Sequence, residues 1–257
     1  MMKRTGQEEL KAPGPALLML EGRAPWEYAA LLAAAPWLLR SPAGDGRPVI
    51  VFPGLAAGDL TTVPLRLFLS ALGYQAYRWE QGINLGPRSG VLDACRDIVR
   101  QAADRHGSKV SLVGWSLGGV YARELAKELA AHVRCVITLC SPFAGHPRAT
   151  NAWRFFEFVS GQNTLDEERI AHIRQPPPVP TTSIFSKTDG VVNWRCCLNP
   201  RAPHTENIEV QASHVGMGVN PLALYAVADR LNQDPEHWKR FDAGGARRWF
   251  YKTAGAA

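Results

Sequence analysis

Gly114-Trp115-Ser116-Leu117-Gly118-Gly119 stands between two runs of different character. Before it lies Val110-Ser111-Leu112-Val113, short and largely apolar. After it comes a stretch from 120 to 130 that mixes apolar and charged residues at helical spacing. The pattern reads as strand, tight turn and helix, with a serine at the apex. A strand that reverses into a helix within a few residues crowds its own backbone. Glycine two positions either side of the serine removes the side chains that would collide. Such a turn lifts the Ser116 hydroxyl to the C-terminal edge of a sheet. It also aims the first helical N–H groups, beginning with Leu117, at any oxygen placed beside it.

Working outward, residues 49–52 form a continuous apolar run, as expected of a strand covered on both faces. Residues 75–79, 109–113, 133–139, 181–186 and 207–211 read as further strands. Helical stretches fall between them near 62–72, 89–106, 117–131 and 221–231. This alternation predicts an α/β domain with a mostly parallel central sheet of about six strands flanked by helices. In such a sheet the loops leaving the C-terminal strand ends share one edge. Three of those loops carry Ser116, Asp189 and His214. A serine hydroxyl is a weak nucleophile until a base takes its proton and a third group orients that base. Of the seven histidines, only His214 follows a strand in a loop of small residues. His204, in a proline-rich loop, is the alternative base. Asp189 follows a strand and precedes Gly190, and no other carboxylate has a comparable position.

With the serine turn, the order Ser116, Asp189, His214 and the alternating elements in view, the chain resembles the α/β-hydrolases over roughly residues 48–232. Pro53-Gly54 and Ser141-Pro142-Phe143-Ala144-Gly145 are similar to the corresponding stretches of its bacterial lipase and esterase branch. The resemblance implies a nucleophile elbow at Ser116 and acyl transfer from a carboxylic ester through an acyl-enzyme. His214 would be the base and Asp189 its orienting acid. The backbone N–H groups of Leu117 and Leu55, with Ala56 as the alternative to Leu55, would form the oxyanion hole. It also implies a small helical cap at about 146–180. Trp115, Phe143, Trp153 and Phe156 are the aromatic candidates for the substrate pocket, although cap aromatics can equally serve only to anchor a cap. The same triad serves thioesterases and acyltransferases, and a non-catalytic ligand-binding protein can keep the fold. Family members usually begin their sheet with two antiparallel strands. Here that region reads as helix.

The composition fits one compact domain: 257 residues, 46% apolar and 20% charged. Residues 1–47 read as an N-terminal extension, a polar leader to about 15 and then one or two helices over 16–40. Packing on the domain is the favoured role for those helices, and peripheral contact with a membrane is the alternative. The net charge is +6, and basic residues gather near both chain ends. No nucleic-acid motif accompanies that charge. The partner expected is a small or lipid-like ester, and the oligomeric state is open. Five irregularly spaced cysteines suggest no disulfide framework and no zinc site, so no metal or cofactor is implied and a cytoplasmic setting is expected.

Overall fold

Continuous burial along the central strands, covered on both faces, builds the sheet. The computed structural model describes residues 10–161 and 167–254. Its strands are β1 (Pro48–Phe52), β2 (Gln75–Arg78), β3 (Val110–Trp115), β4 (Val133–Leu139), β5 (Thr181–Phe185), β6 (Thr205–Glu209) and β7 (Lys252–Thr253). The spatial order is β2-β1-β3-β4-β5-β6-β7. The first six strands are parallel, and β7 is antiparallel to β6 through Ile208 opposite Thr253 and Glu209 opposite Lys252. The aromatic, basic tail, for which the sequence suggests no role, therefore supplies the seventh strand. It pairs the edge that β6 would otherwise expose.

Among the described residues the α-helices are α1 (Pro15–Met19), α2 (Ala24–Leu38), α3 (Val63–Ala71), α4 (Val91–His106), α5 (Leu117–Glu128), α6 (Trp153–Ser160), α7 (Glu167–Arg174) and α8 (Pro221–Leu231). In β1, Val49 and Val51 join a core with α2, α3 and α8, whereas Ile50 and Phe52 join a second core with α4 and α5. Successive side chains of a strand point to opposite faces, so both faces of the sheet need a helical layer. The region ahead of β1 is helical, as its composition indicates. The strand expected at 207–211 starts two residues earlier, at Thr205, because Thr205 and Glu206 pair with Thr181 and Thr182.

The chain steps outward from β1 to β2 and then returns to place β3 on the other side of β1. That reversal opens a crevice between the ends of β1 and β3, where open α/β sheets bind ligands. The cap helices α6 and α7 lie over this end. Thr150 forms a bridge with Val192, and the buried Arg123 of α5 donates to Asn199 Oδ1 (2.6 Å) and the Gln175 carbonyl (3.1 Å). The guanidinium also stacks 3.7 Å above the Phe143 ring.

Ile137, in β4 at the middle of the sheet, is 1% exposed. Ile137→Ala is expected to lower stability by about 2–5 kcal/mol in urea unfolding. Leu67→Ala, on the outer side of α3, is expected to change it by less than about 0.5 kcal/mol.

Candidate active site

Ser116 occupies a backbone conformation that few side-chain-bearing residues adopt (φ 52°, ψ −121°). Residues so placed are strained by about 1–3 kcal/mol and persist only where their surroundings enforce the turn. Here Ser116 N donates to the Leu139 carbonyl (2.8 Å), and Gly119 N donates to the Ser116 carbonyl (3.0 Å). A Cβ on Gly114 would collide with the backbone of Gly118 and Gly119, and one on Gly118 with the carbonyls of Phe52 and Pro53. The spacing of glycines around the serine is thus a packing requirement. Leu117 begins α5, so its N–H has no acceptor within the helix.

The loop after β1 faces this turn. Ala56 N donates to the Asn84 carbonyl (2.7 Å), so of the two N–H groups considered from sequence that of Ala56 is already engaged. Asn84, fully buried, holds that loop from the other side. Its Nδ2 donates to the Pro53 carbonyl (2.8 Å), and its Oδ1 accepts from Tyr121 Oη and Gly86 N. Sequence reading passes over Asn84 because it lies in an irregular loop with no motif around it.

Asp189 and His214 meet at the ends of β5 and β6. His214 Nδ1 lies 2.7 Å from Asp189 Oδ2, and both side chains are buried. Asp189 Oδ1 accepts from the backbone N–H of Val191 (2.8 Å) and Val192 (2.7 Å). Burial works against both charges. Even so, the imidazole's charge and hydrogen bond, the Val192 N–H and the Cys140 thiol hold the Asp189 carboxyl below its ordinary range. His214 is likewise penalised by burial, but the charge and hydrogen bond of Asp189, with the charge of Glu21, carry its pKa above the usual value. Trp115 Nε1 donates to the His214 carbonyl (3.0 Å), which places the histidine loop against the residue that precedes Ser116. Among the described residues Ser116 Oγ makes no hydrogen bond.

Cys140, Asp189 and His214 have ligand atoms within 4.8 Å of one another. Burial and the neighbouring Asp189 push the Cys140 thiol well above its ordinary value.

The segment drawn from sequence as an extension is bonded to these loops. Glu21 Oε1 accepts from Gly190 N (2.7 Å) and His214 N (3.0 Å), and Oε2 accepts from Val215 N (2.9 Å). Glu27 accepts from the N–H (2.7 Å) and hydroxyl (2.9 Å) of Ser213. Arg23 donates to the carbonyl (2.9 Å) and hydroxyl (2.7 Å) of Thr188. Part of the polar leader is also tied down: Asn193 and Asn151 donate to the carbonyls of Lys11 and Pro13. Residues 1–9 of that leader, and 162–166 of the expected cap, lie outside the described residues.

Ser116, Leu117 and Leu55 line one cavity of about 400 Å³. Trp153 and Phe156 of α6, with Ile170 and Ile173 of α7, form its cap side, and Val192, three residues beyond Asp189, also borders it. The other two aromatic candidates lie elsewhere. Phe143 is buried beneath Arg123, and Trp115 packs against His214 with ring centroids 6.2 Å apart. Both are drawn out of the cavity by a partner that spacing along the chain does not reveal.

The sequence profile of the alpha/beta hydrolase family matches residues 22–254. The chain belongs to that family. No curated protein matches it. Among solved structures, it is similar to Aspergillus fumigatus lipase B (TM-score 0.58, 19% identity), with 75% of this chain and 55% of the lipase covered. The chain therefore spans little more than half the length of that lipase. It is also similar to the Paleococcus ferrophilus monoacylglycerol lipase (TM-score 0.51, 13% identity, 72% of this chain and 95% of that one). A third is the mouse alpha/beta hydrolase domain-containing protein 10 (TM-score 0.51, 20% identity, 73% and 90%). At these identities the likeness is one of fold.

Because Glu21 contributes a negative charge beside the imidazole, Glu21→Gln is expected to lower the His214 pKa. An NMR titration of the imidazole protons reads this directly. A His214 pKa that is unchanged or higher in the variant contradicts the assignment.

Proposed function

We propose that the protein is a serine hydrolase of carboxylic esters with apolar acyl groups. The observation that supports this most is the sharing of one largely apolar cavity by Ser116, Leu117 and Leu55, with the buried Asp189–His214 pair at the adjoining loops.

In this reading the ester carbonyl lies at the elbow with its acyl chain toward Trp153, Phe156 and Ile173. His214 Nδ1–H is held by Asp189, so Nε2 is the nitrogen presented to the Ser116 hydroxyl. As Ser116 Oγ attacks, its proton passes to Nε2. The negative charge that develops on the carbonyl oxygen is met by the N–H groups of Leu117 and Leu55. Collapse of the tetrahedral intermediate expels the alcohol, which takes the proton from His214. Water then repeats the sequence on the acyl-enzyme, with His214 as base, and releases the acid. The elevated His214 pKa suits this cycle, since the imidazole must hold a proton between attack and expulsion. The same elevation means that kcat/KM falls as pH drops through that pKa, because a protonated imidazole cannot accept the serine proton.

A fluorophosphonate is expected to form one adduct on the wild type and none on Ser116→Ala or His214→Ala, read by intact mass. On a series of p-nitrophenyl esters, kcat/KM is expected to rise by roughly fourfold per methylene until the cavity fills, from about 0.8 kcal/mol per buried CH2. Absence of an adduct on the folded wild type would sink the reading. A parallel thioester series with higher kcat/KM would reassign the leaving group.

A further inference from the structure

Residues 16–39 contain only three charged side chains, Glu21, Arg23 and Glu27. All three turn inward, onto Gly190, Thr188, Ser213 and His214. The outward side is apolar. On α2, Leu31 and Leu38 are buried, while Trp26 (76% exposed), Leu32 (61%) and Trp37 face solvent together with alanines 29, 30 and 33. Ahead of α2, Met19 is 82% exposed and Leu18 and Leu20 about half. A surface helix ordinarily places its charges in water and its apolar stripe on the core. This one has the reverse distribution, and a contiguous exposed apolar face of this kind marks an interaction site.

The surroundings of that face say what it meets. Trp37 stacks on Tyr225 (5.2 Å), and Tyr225 Oη accepts from Arg247 (2.6 Å). The face therefore runs on into the tail, where Trp249 and Phe250 are exposed and Arg248 lies over the Trp249 ring. Arg40 closes the C-terminal end of α2, and Lys252 follows in β7. Among the described residues Arg40, Arg248 and Lys252 have no acidic partner, and the acids near them are engaged, Asp229 with Arg230 and Arg247, Asp45 with Arg47. Tryptophan, leucine and flanking cations around an apolar face are the chemistry of an anionic membrane interface. A second copy would oppose cation to cation across a two-fold axis. At 15 residues α2 is about 22 Å long, and no described helix is long and apolar enough to cross a membrane, so this geometry is one of lying on a surface.

We propose that the outer face of α2, with residues 18–20 and the tail around Arg248 and Trp249, docks on an anionic lipid bilayer. The near end of that surface abuts the triad loops, since Leu17 and Leu18 pack against Gly190 and exposed Val215 follows His214. Docking therefore brings the Asp189 and His214 loops to the lipid boundary. The assignment does not rest on the hydrolase reading, and its test does not require turnover.

The test is co-sedimentation of the full chain carrying Ser116→Ala with vesicles of equimolar phosphatidylcholine and phosphatidylglycerol, and with phosphatidylcholine alone. Binding is expected on the anionic vesicles, with at least about a tenfold loss on the neutral ones and in high salt. Trp26→Ser/Leu32→Ser is expected to lose at least about tenfold of the anionic-vesicle partition. In the Ser116 background the same double variant should keep wild-type turnover of a water-soluble p-nitrophenyl ester, or wild-type fluorophosphonate labelling, which shows that it is folded. Failure to sediment with either vesicle, or sedimentation indifferent to the double variant, overturns the proposal. So does a concentration-dependent dimer that the double variant converts to monomer without any vesicle binding, which would assign the face to a second copy.

Discussion

A buried carboxylate is tolerable only when its oxygens are satisfied, and Asp189 is the point about which the ligand-binding edge is arranged. Its two oxygens take the His214 imidazole, the Val191 and Val192 N–H groups and the Cys140 thiol. Each donor constrains something else. The two backbone donors curl the loop after β5 back on itself. Cys140 must adopt a left-handed backbone (φ 49°) directly after β4. The imidazole fixes the loop after β6, which in turn receives the Trp115 indole from the serine turn. Four strand ends are thereby held in one register by a single ionised group.

The histidine loop also needs support on its outer side, and α1–α2 provide it with carboxylates. Glu21 takes three backbone N–H groups across the Asp189 and His214 loops, which would otherwise face solvent or an apolar helix. Placing all the charge of this segment inward has a consequence for the outer surface. With its polar groups engaged on the loops, the segment is left with mainly alanine, leucine, methionine, proline and aromatic side chains to present outward. Support of the site and the apolar character of the surface are two results of one sequence pattern.

Legibility in the sequence followed the range of the interaction. The elbow was readable because its motif is contiguous, although only the Gly114 clash is local and Gly118 answers the distant carbonyls of Phe52 and Pro53, and the strands were readable because both faces are covered. Asp189 and His214 stood out by position after strands. Asn84, Cys140, Glu21 and Glu27 did not, because each acts on a residue more than twenty-five positions away. A trace of the last two existed: isolated charges within an otherwise apolar helical stretch need partners. Phe143 and Trp115 illustrate the converse, aromatic residues beside the right motifs whose rings are claimed by Arg123 and His214.

The sequence by itself determined the α/β architecture, the sharp turn that strains Ser116, and the order in which serine, aspartate and histidine leave the strands. These follow from side-chain periodicity and local sterics, which a linear chain carries in full. Only the tertiary structure decided that the N-terminal helices grip the Asp189 and His214 loops, that the tail completes the sheet, and which aromatic rings face the cavity. Those outcomes depend on which distant groups satisfy one another's hydrogen bonds and fill one another's surfaces, and that competition is settled only when the whole chain packs.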